Sequence, residues 1–82
     1  MKILPLHRDL ILYLRKRKLE KKFNKQSSFL ERDLSYPSLE VELLEPKHFR
    51  IFSFRIDRKY RAIFIFHSAS TIEIFDINNH YR

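Results

Sequence analysis

The sequence predicts an α+β domain, in which a small, mostly antiparallel sheet carries two N-terminal helices on one face. Residues 7–34 contain neither Gly nor Pro and repeat apolar residues at helical spacing. Residues 49–66 then alternate Phe, Ile, Arg and Tyr on either side of a short polar interruption, which is typical of a β-hairpin. Because the helical segment precedes a run of adjacent strands, the order favours α+β over a parallel α/β fold.

The N-terminal third predicts one edge strand and two helices. Residues 1–6 are apolar with Pro5 near the end, and proline cannot donate to a central ladder. One continuous helix over residues 7–34 would be about 42 Å long. A domain of this length has a radius of gyration of only about 12 Å. We therefore expect two helices, with a break near Arg17 and Lys18.

Basic residues surround this break and continue along the second predicted helix, at Lys16, Lys18, Lys21, Lys22 and Lys25. Such a run can be a solvated helix face, or a surface that follows a phosphate backbone. Seventeen Lys and Arg against ten Asp and Glu give a net charge of +7, which attracts polyanions and favours the second interpretation. The candidates are nucleic acid, an acidic protein and, least, an anionic membrane surface.

The charge and composition also limit the type and location of the protein. No run approaches the ~20 apolar residues of a membrane-spanning helix, and residues 1–6 are too short for a signal peptide. With no cysteine, the chain has neither disulfides nor thiolate metal ligands. We expect one domain, residues 1–82, in the cytoplasm.

The remaining residues predict the sheet. Residues 40–45 can be a short strand or an irregular edge, residues 67–70 form a polar turn, and residues 71–77 form the last strand. The second hairpin strand, residues 60–66, is apolar at both alternating sets of positions, which indicates a central strand. Core packing is the preferred interpretation of five aromatic residues: Phe52, Phe54, Phe64, Phe66 and Phe75.

Two arginines lie beside the predicted hairpin turn, among residues that would otherwise be buried. A hairpin loop with an even number of residues places Arg55 and Arg61 on opposite faces of the sheet, and an odd number places them on the same face. The sequence leaves this open. Arg61 can form a structural ion pair with Asp57 or Asp76, or it can hold a phosphate, which a bidentate guanidinium suits.

The order of these pieces resembles the RelE/ParE superfamily, the small basic toxins of type II toxin–antitoxin pairs. The resemblance covers the whole chain. It rests on the strand and two helices, then on Ser53-Phe54-Arg55-Ile56, on 60–64 (YRAIF) and on the C-terminal 76–82 (DINNHYR). Relatives often carry a Gly before the first hairpin strand, whereas this chain has no glycine.

The resemblance is nearest to the YoeB-like branch and implies an mRNA endoribonuclease that acts in the ribosomal A site without a metal or cofactor. In that chemistry a 2′-hydroxyl attacks the neighbouring phosphate, which needs a base, a cation and an acid. The matching positions are Glu42 as base, Arg61 as phosphate clamp, His80 as acid and Tyr81 as a stacking or orienting group. Further RNA contacts are expected at Arg55, Lys16, Lys18, Lys22, Lys47 and Arg82.

The resemblance also implies partners and leaves alternatives. We expect mRNA, the ribosome and an acidic antitoxin that covers the open sheet face and the basic patch. Glu42 can instead be an ordinary exposed acid, and a terminal histidine such as His80 is often idle. A ParE-like inhibitor of DNA gyrase without nuclease chemistry, or a non-toxic basic nucleic-acid-binding module, fits the same composition.

Overall fold

The computed structural model describes residues 1–79, so His80, Tyr81 and Arg82 lie outside the described residues. This described part contains two helices and five strands, together with two 3₁₀ turns at Pro37–Leu39 and Lys47–Phe49. The helices are α1 (Arg8–Lys16) and α2 (Glu20–Arg32). The strands are β1 (Lys2–Ile3), β2 (Glu42–Leu43), β3 (Phe52–Arg55), β4 (Arg61–Ser68) and β5 (Thr71–Asn78). The α+β class is confirmed.

The five strands form one mixed sheet in the order β1-β5-β4-β3-β2. Only the β1–β5 pair is parallel within residues 1–79, so the prediction of a mostly antiparallel sheet is confirmed. The short N-terminal strand lies at one edge, as Pro5 indicates, and β2 forms the other edge. The doubly apolar strand β4 is central.

The β4–β5 hairpin is longer than predicted. The sequence predicts a turn over residues 67–70, but Ser68 still pairs with Thr71, and only Ala69 and Ser70 remain between the strands. The cause is a bulge at His67, which absorbs one residue and lets the ladder continue. The polar residues His67 and Ser68 therefore belong to β4, although their sequence is typical of a turn.

The two helices separate at the predicted break. Arg17 caps the end of α1, and Lys18 then adopts a left-handed backbone conformation, with φ of 57°. Glycine is the usual residue in this conformation after a helix, because it has no Cβ to clash with the backbone. Glu40 and Arg50 take the same conformation after the two 3₁₀ turns. In a chain without glycine, charged residues close these turns.

One hydrophobic core joins the helices to one set of alternating strand residues. Leu10 and Leu14 from α1 and Phe23 and Leu30 from α2 belong to the same buried cluster as Phe54, Ala62, Phe64, Ile72, Ile74 and Ile77. Leu30, Phe54 and Phe64 are completely buried, and burial of one such side chain contributes about 1.5–3 kcal/mol. The helices are therefore held mainly by this cluster.

The core interpretation of the five aromatic residues is correct for four of them. Phe54 and Phe64 are buried, and Phe52 and Phe66 are partly buried against the core. It is wrong for Phe75, whose surface is 42% exposed. The pairing shifts at this point, from Asp76 opposite Ile63 to Ile74 opposite Phe64. Phe75 is the extra residue of the resulting bulge, so it leaves the alternation that would have buried it.

The left-handed conformation of Lys18 predicts an unusual effect of glycine. Lys18→Gly should raise the free energy of unfolding, by up to about 1 kcal/mol, because the Cβ clash disappears. Lys21→Gly is the matched control, since Lys21 is an exposed lysine inside α2. There glycine should lower the free energy of unfolding by about 1 kcal/mol. Urea unfolding measures both values, and equal losses in the two variants would contradict the prediction.

Candidate functional site

Arg55 and Arg61 lie on the same face of the sheet. The hairpin places them directly opposite each other, at the last residue of β3 and the first residue of β4. The loop between them has five residues, 56–60, which is an odd number. Directly opposed residues of an antiparallel pair point to the same face. The question that the sequence left open is thus answered, and two guanidinium groups share one surface.

Arg61 is buried, with only 8% of its surface exposed. Its Nε donates to the Ser53 hydroxyl oxygen at 2.9 Å, and its Nη2 donates to the carbonyl oxygens of Glu40 and Ser53. These bonds use Nε and Nη2 but not Nη1. The structural alternative, an exposed ion pair with Asp57 or Asp76, is therefore wrong: the side chain lies across β3 towards β2.

Glu42 lies close to the end of the Arg61 side chain. Its Oε1 is 3.8 Å from Nη2 of Arg61, and its side chain is 59% exposed. The register explains the approach, because Glu42 is directly opposite Ser53, the residue that Arg61 crosses. The structure thus brings the predicted base and the predicted phosphate clamp together. A solvent-accessible carboxylate beside a fixed cation can accept a proton next to a bound anion.

Glu40 holds both arginines, a role that the sequence did not reveal. Its Oε2 accepts a hydrogen bond from Nη1 of Arg55 at 2.6 Å, and its carbonyl oxygen accepts one from Arg61. The backbone of Glu40 is left-handed, with φ of 43°, which turns the residue at the end of the preceding 3₁₀ turn. Three carboxylates in 40–45 gave no indication of which one would do this, since the role depends on the turn.

Asp57 stabilises the hairpin turn that follows Arg55 by accepting hydrogen bonds from its backbone. One carboxylate oxygen accepts hydrogen bonds from the backbone N–H groups of Lys59 and Tyr60, both at 2.8 Å, and the other accepts one from Lys22 at 3.2 Å. Burial raises the pKa of Asp57, but these hydrogen bonds and the Lys22 charge outweigh it, and the pKa is lowered from its ordinary value. Lys22 is thereby tied to the turn.

The other predicted RNA-contacting residues are dispersed. Lys16 is the exposed last residue of α1, and Lys18 is exposed in the turn between the helices. Lys47 is exposed in the 3₁₀ turn that precedes β3, at the opposite end of that strand from Arg55. The predictions for His80, Tyr81 and Arg82 concern positions outside the described residues. Within the described part, Asn78 pairs with Arg61 across the β4–β5 ladder.

The histidines do not form a metal site within residues 1–79. No group of three His, Asp or Glu residues in this part of the chain could hold a metal ion. His7 and His67 are both exposed, and each bonds a different oxygen of Glu73, at 2.6 and 2.7 Å. Hydrogen bonds from His67 and then His7 lower the pKa of Glu73. His48 is exposed as well.

Neither helix in the described range could cross a bilayer. The longer one, α2, has 13 residues, whereas a membrane span needs about 20.

Known structures share this architecture over nearly its entire length. A YoeB/ParE toxin from Agrobacterium tumefaciens superposes with a TM-score of 0.72, at 19% sequence identity, over 99% of this chain and 100% of that one. The chain has the YoeB/ParE fold. No protein-family model and no curated protein matches the sequence.

Two structures from Staphylococcus aureus show the same YoeB/ParE fold. One is the heterotetrameric YoeB–YefM toxin–antitoxin complex, with a TM-score of 0.69 and 20% identity. The other is a YoeB dimer, with a TM-score of 0.65 and 22% identity. Each match covers 98% of this chain and 94% of the other. The predicted resemblance is thus confirmed at the level of fold.

The lowered pKa of Asp57 predicts an acid-dependent loss of stability. A depressed folded pKa stabilises the protein above the unfolded value of 3.8, and this contribution is lost as the pH falls through the folded pKa. Asp57→Ala should lower the free energy of unfolding at pH 7 by about 1–2 kcal/mol, because two backbone N–H groups lose their acceptor. The difference from the native chain should shrink below the unfolded pKa.

Urea unfolding across this pH range provides the measurement. Glu31→Ala is a suitable control, because the Glu31 side chain is exposed. It should leave the pH dependence unchanged. A loss for Asp57→Ala that is the same above and below the unfolded pKa would contradict the ionic role of Asp57.

Proposed function

We propose that this chain is the toxin of a type II toxin–antitoxin system and that it cleaves mRNA on the ribosome without a metal. The observation that carries the proposal is the approach of Glu42 to Arg61, 3.8 Å apart on a sheet face that also presents Arg55. The YoeB/ParE fold supports the toxin role, and the net charge of +7 supports an RNA substrate.

The proposed reaction divides the chemistry among four side chains. Glu42 accepts the proton of a ribose 2′-hydroxyl, whose oxygen then attacks the adjacent phosphorus. Arg61 neutralises the charge that develops on the phosphate oxygens, using Nη1, which its structural bonds leave out. His80 donates a proton to the departing 5′ oxygen, and Tyr81 stacks on a base. The products are a 2′,3′-cyclic phosphate and a 5′-hydroxyl.

The proposal requires that RNA can reach this face of the sheet. We infer that both helices cover the opposite face, because their buried residues share one cluster with Phe54, Ala62 and Phe64. On the central strand, Ala62 and Phe64 are fully buried, whereas Ile63 and Ile65 on the other alternating set are only partly buried. The Arg61 face is therefore the more accessible one.

The position of Asn78 supports the assignment of His80. Asn78 is directly opposite Arg61 and precedes His80 by two residues in the sequence. An acid that protonates the leaving oxygen has to act beside the group that holds the phosphate. This register supports the proposed role of His80 beside Arg61.

An acidic antitoxin is the proposed partner, covering the Arg61 face and the basic residues around it. A chain with seven excess positive charges has a long-range attraction for such a protein. One of the Staphylococcus aureus structures is a YoeB–YefM toxin–antitoxin complex, which supports an antitoxin as the partner here. On this proposal, residues 1–82 form one toxin domain, and it acts in the cytoplasm where mRNA and ribosomes are found.

Two other functions compete with this one. A gyrase-inhibiting toxin or a non-toxic nucleic-acid binder would need the basic residues but would not need a carboxylate beside Arg61. The approach of Glu42 to that guanidinium favours the nuclease, because a carboxylate weakens simple anion binding but can serve as a general base.

The acid–base roles can be tested by two substitutions that spare the buried arginine. Glu42→Gln and His80→Ala should each reduce mRNA cleavage about 10²–10⁴-fold, the usual range for losing a general base or acid. Cleavage is measured by primer extension on mRNA after induced expression. Glu42 is exposed, so the amide variant should unfold at the same temperature as the native chain.

Glu45→Gln is the matched control, since Glu45 is an exposed carboxylate three residues further along the chain. It should cleave mRNA at the native rate. Co-expression with the antitoxin should restore growth to cells that carry the native chain. Full toxicity of both Glu42→Gln and His80→Ala, with DNA damage before any loss of translation, would instead support the gyrase alternative.

A further inference from the structure

A basic cleft lies where α2 meets the hairpin turn, at the end of the sheet that carries Arg55. Its volume is about 320 Å³. Lys22 and Lys25 line it from α2, and Arg55 and Arg58 line it from the hairpin. Ligand pockets in proteins begin at about this size, so the cleft can hold a compact charged group.

The charges of the cleft do not cancel. Four basic residues and one acidic residue, Asp57, line the cleft, and the carboxylate oxygens of Asp57 already accept two backbone N–H groups and Lys22. Arg55 is paired with Glu40 outside the lining. Neither Lys25 nor Arg58 forms an ion pair within residues 1–79. The cleft therefore keeps an excess of positive charge with two uncommitted cations.

A buried glutamine fixes the walls of the cleft relative to each other. Gln26, on α2, is 6% exposed. Its Nε2 donates to the carbonyl oxygens of Arg55 at 2.7 Å and Ser38 at 3.1 Å, while its Oε1 accepts from the Ser38 hydroxyl. A buried amide with three hydrogen bonds holds the helix and the strand in one arrangement. The cations on both walls are thus presented by a rigid frame.

We propose that this cleft binds a backbone phosphate of single-stranded RNA. This phosphate belongs to the same RNA molecule as the phosphate at Arg61 but lies further along its backbone. This inference rests on the proposed function. Arg55 connects the two places, because it lines the cleft and also stands directly opposite Arg61. A polyanion that leaves the Arg61 face past Arg55 reaches Lys25 and Arg58 next. The guanidinium of Arg58 suits a phosphate, which it can bind through two N–H groups.

The test compares two double substitutions that remove the same charge. Lys25→Gln with Arg58→Gln alters the cleft, and Lys2→Gln with Arg8→Gln alters exposed residues of β1 and α1 away from it. The probe is a short fluorescein-labelled 2′-O-methyl oligonucleotide, which cannot be cleaved by 2′-hydroxyl attack. Fluorescence anisotropy gives its affinity at several salt concentrations.

The cleft variant should bind the oligonucleotide about tenfold more weakly, and its salt dependence should fall by about 0.7, the slope for one phosphate of a single strand. The control variant should stay within about threefold of the native chain, because exposed distant charges are screened. Equal losses in the two variants would overturn the inference. So would a cleft variant that loses affinity for labelled polyglutamate but not for the oligonucleotide, since the cleft would then fit an acidic protein.

Primer extension on mRNA separates this inference from the proposed function. If the native chain cleaves mRNA and the cleft variant binds the oligonucleotide like the native chain, only the cleft assignment fails. If the cleft variant loses binding but the native chain does not cleave mRNA, the phosphate site stands and the nuclease proposal fails.

Discussion

The buried guanidinium of Arg61 is the constraint on which the open face of this sheet depends. A charged group that is removed from solvent, as in Arg61, is stable only if its N–H groups have acceptors. Ser53 and the carbonyl oxygen of Glu40 supply them. Glu40 reaches its place through a left-handed turn, and the same residue pairs with Arg55. The hydrogen bonds of Arg61 therefore also determine the positions of Glu40 and, through it, of Arg55.

This arrangement gives Arg61 a structural role beside the proposed chemical one. Its bonds bridge β4, β3 and Glu40 in the turn before β2, and β2 itself begins at Glu42. Removing the side chain would leave the Glu40 carbonyl oxygen and the Ser53 hydroxyl without their donor, at about 1–3 kcal/mol for each buried group. A loss of activity after truncation of Arg61 would therefore combine the effect of lost stability with the effect of lost catalysis. Substitutions at the exposed Glu42 do not have this ambiguity.

Local sequence patterns predicted the order of elements well. The glycine-free helical segment, the position of Pro5 and the doubly apolar β4 each depend on nearby residues, so they could be interpreted without the fold. The bulges at His67 and Phe75 were missed because a bulge depends on how two strands pair. Three turns also needed left-handed residues, which Lys18, Glu40 and Arg50 provide although none is glycine.

The candidate site was predictable only in part. A resemblance to known toxins indicated Glu42 and Arg61, and the structure brings these two together. The burial of Arg61 and the role of Glu40 arise from contacts between residues 21 positions apart, which no local pattern records. The cleft beside Arg55 was equally impossible to predict from the sequence, since it exists only where α2 meets the hairpin.

Proton exchange at the Arg61 Nε–H group tests the central claim most directly. In ¹⁵N NMR spectra, this proton should exchange with water much more slowly than the Nε–H proton of the exposed Arg58, because Ser53 accepts it in a buried position. Ser53→Ala should remove most of the protection at Arg61 and leave Arg58 unchanged. Exchange at Arg61 as fast as at Arg58 in the native chain would contradict the account.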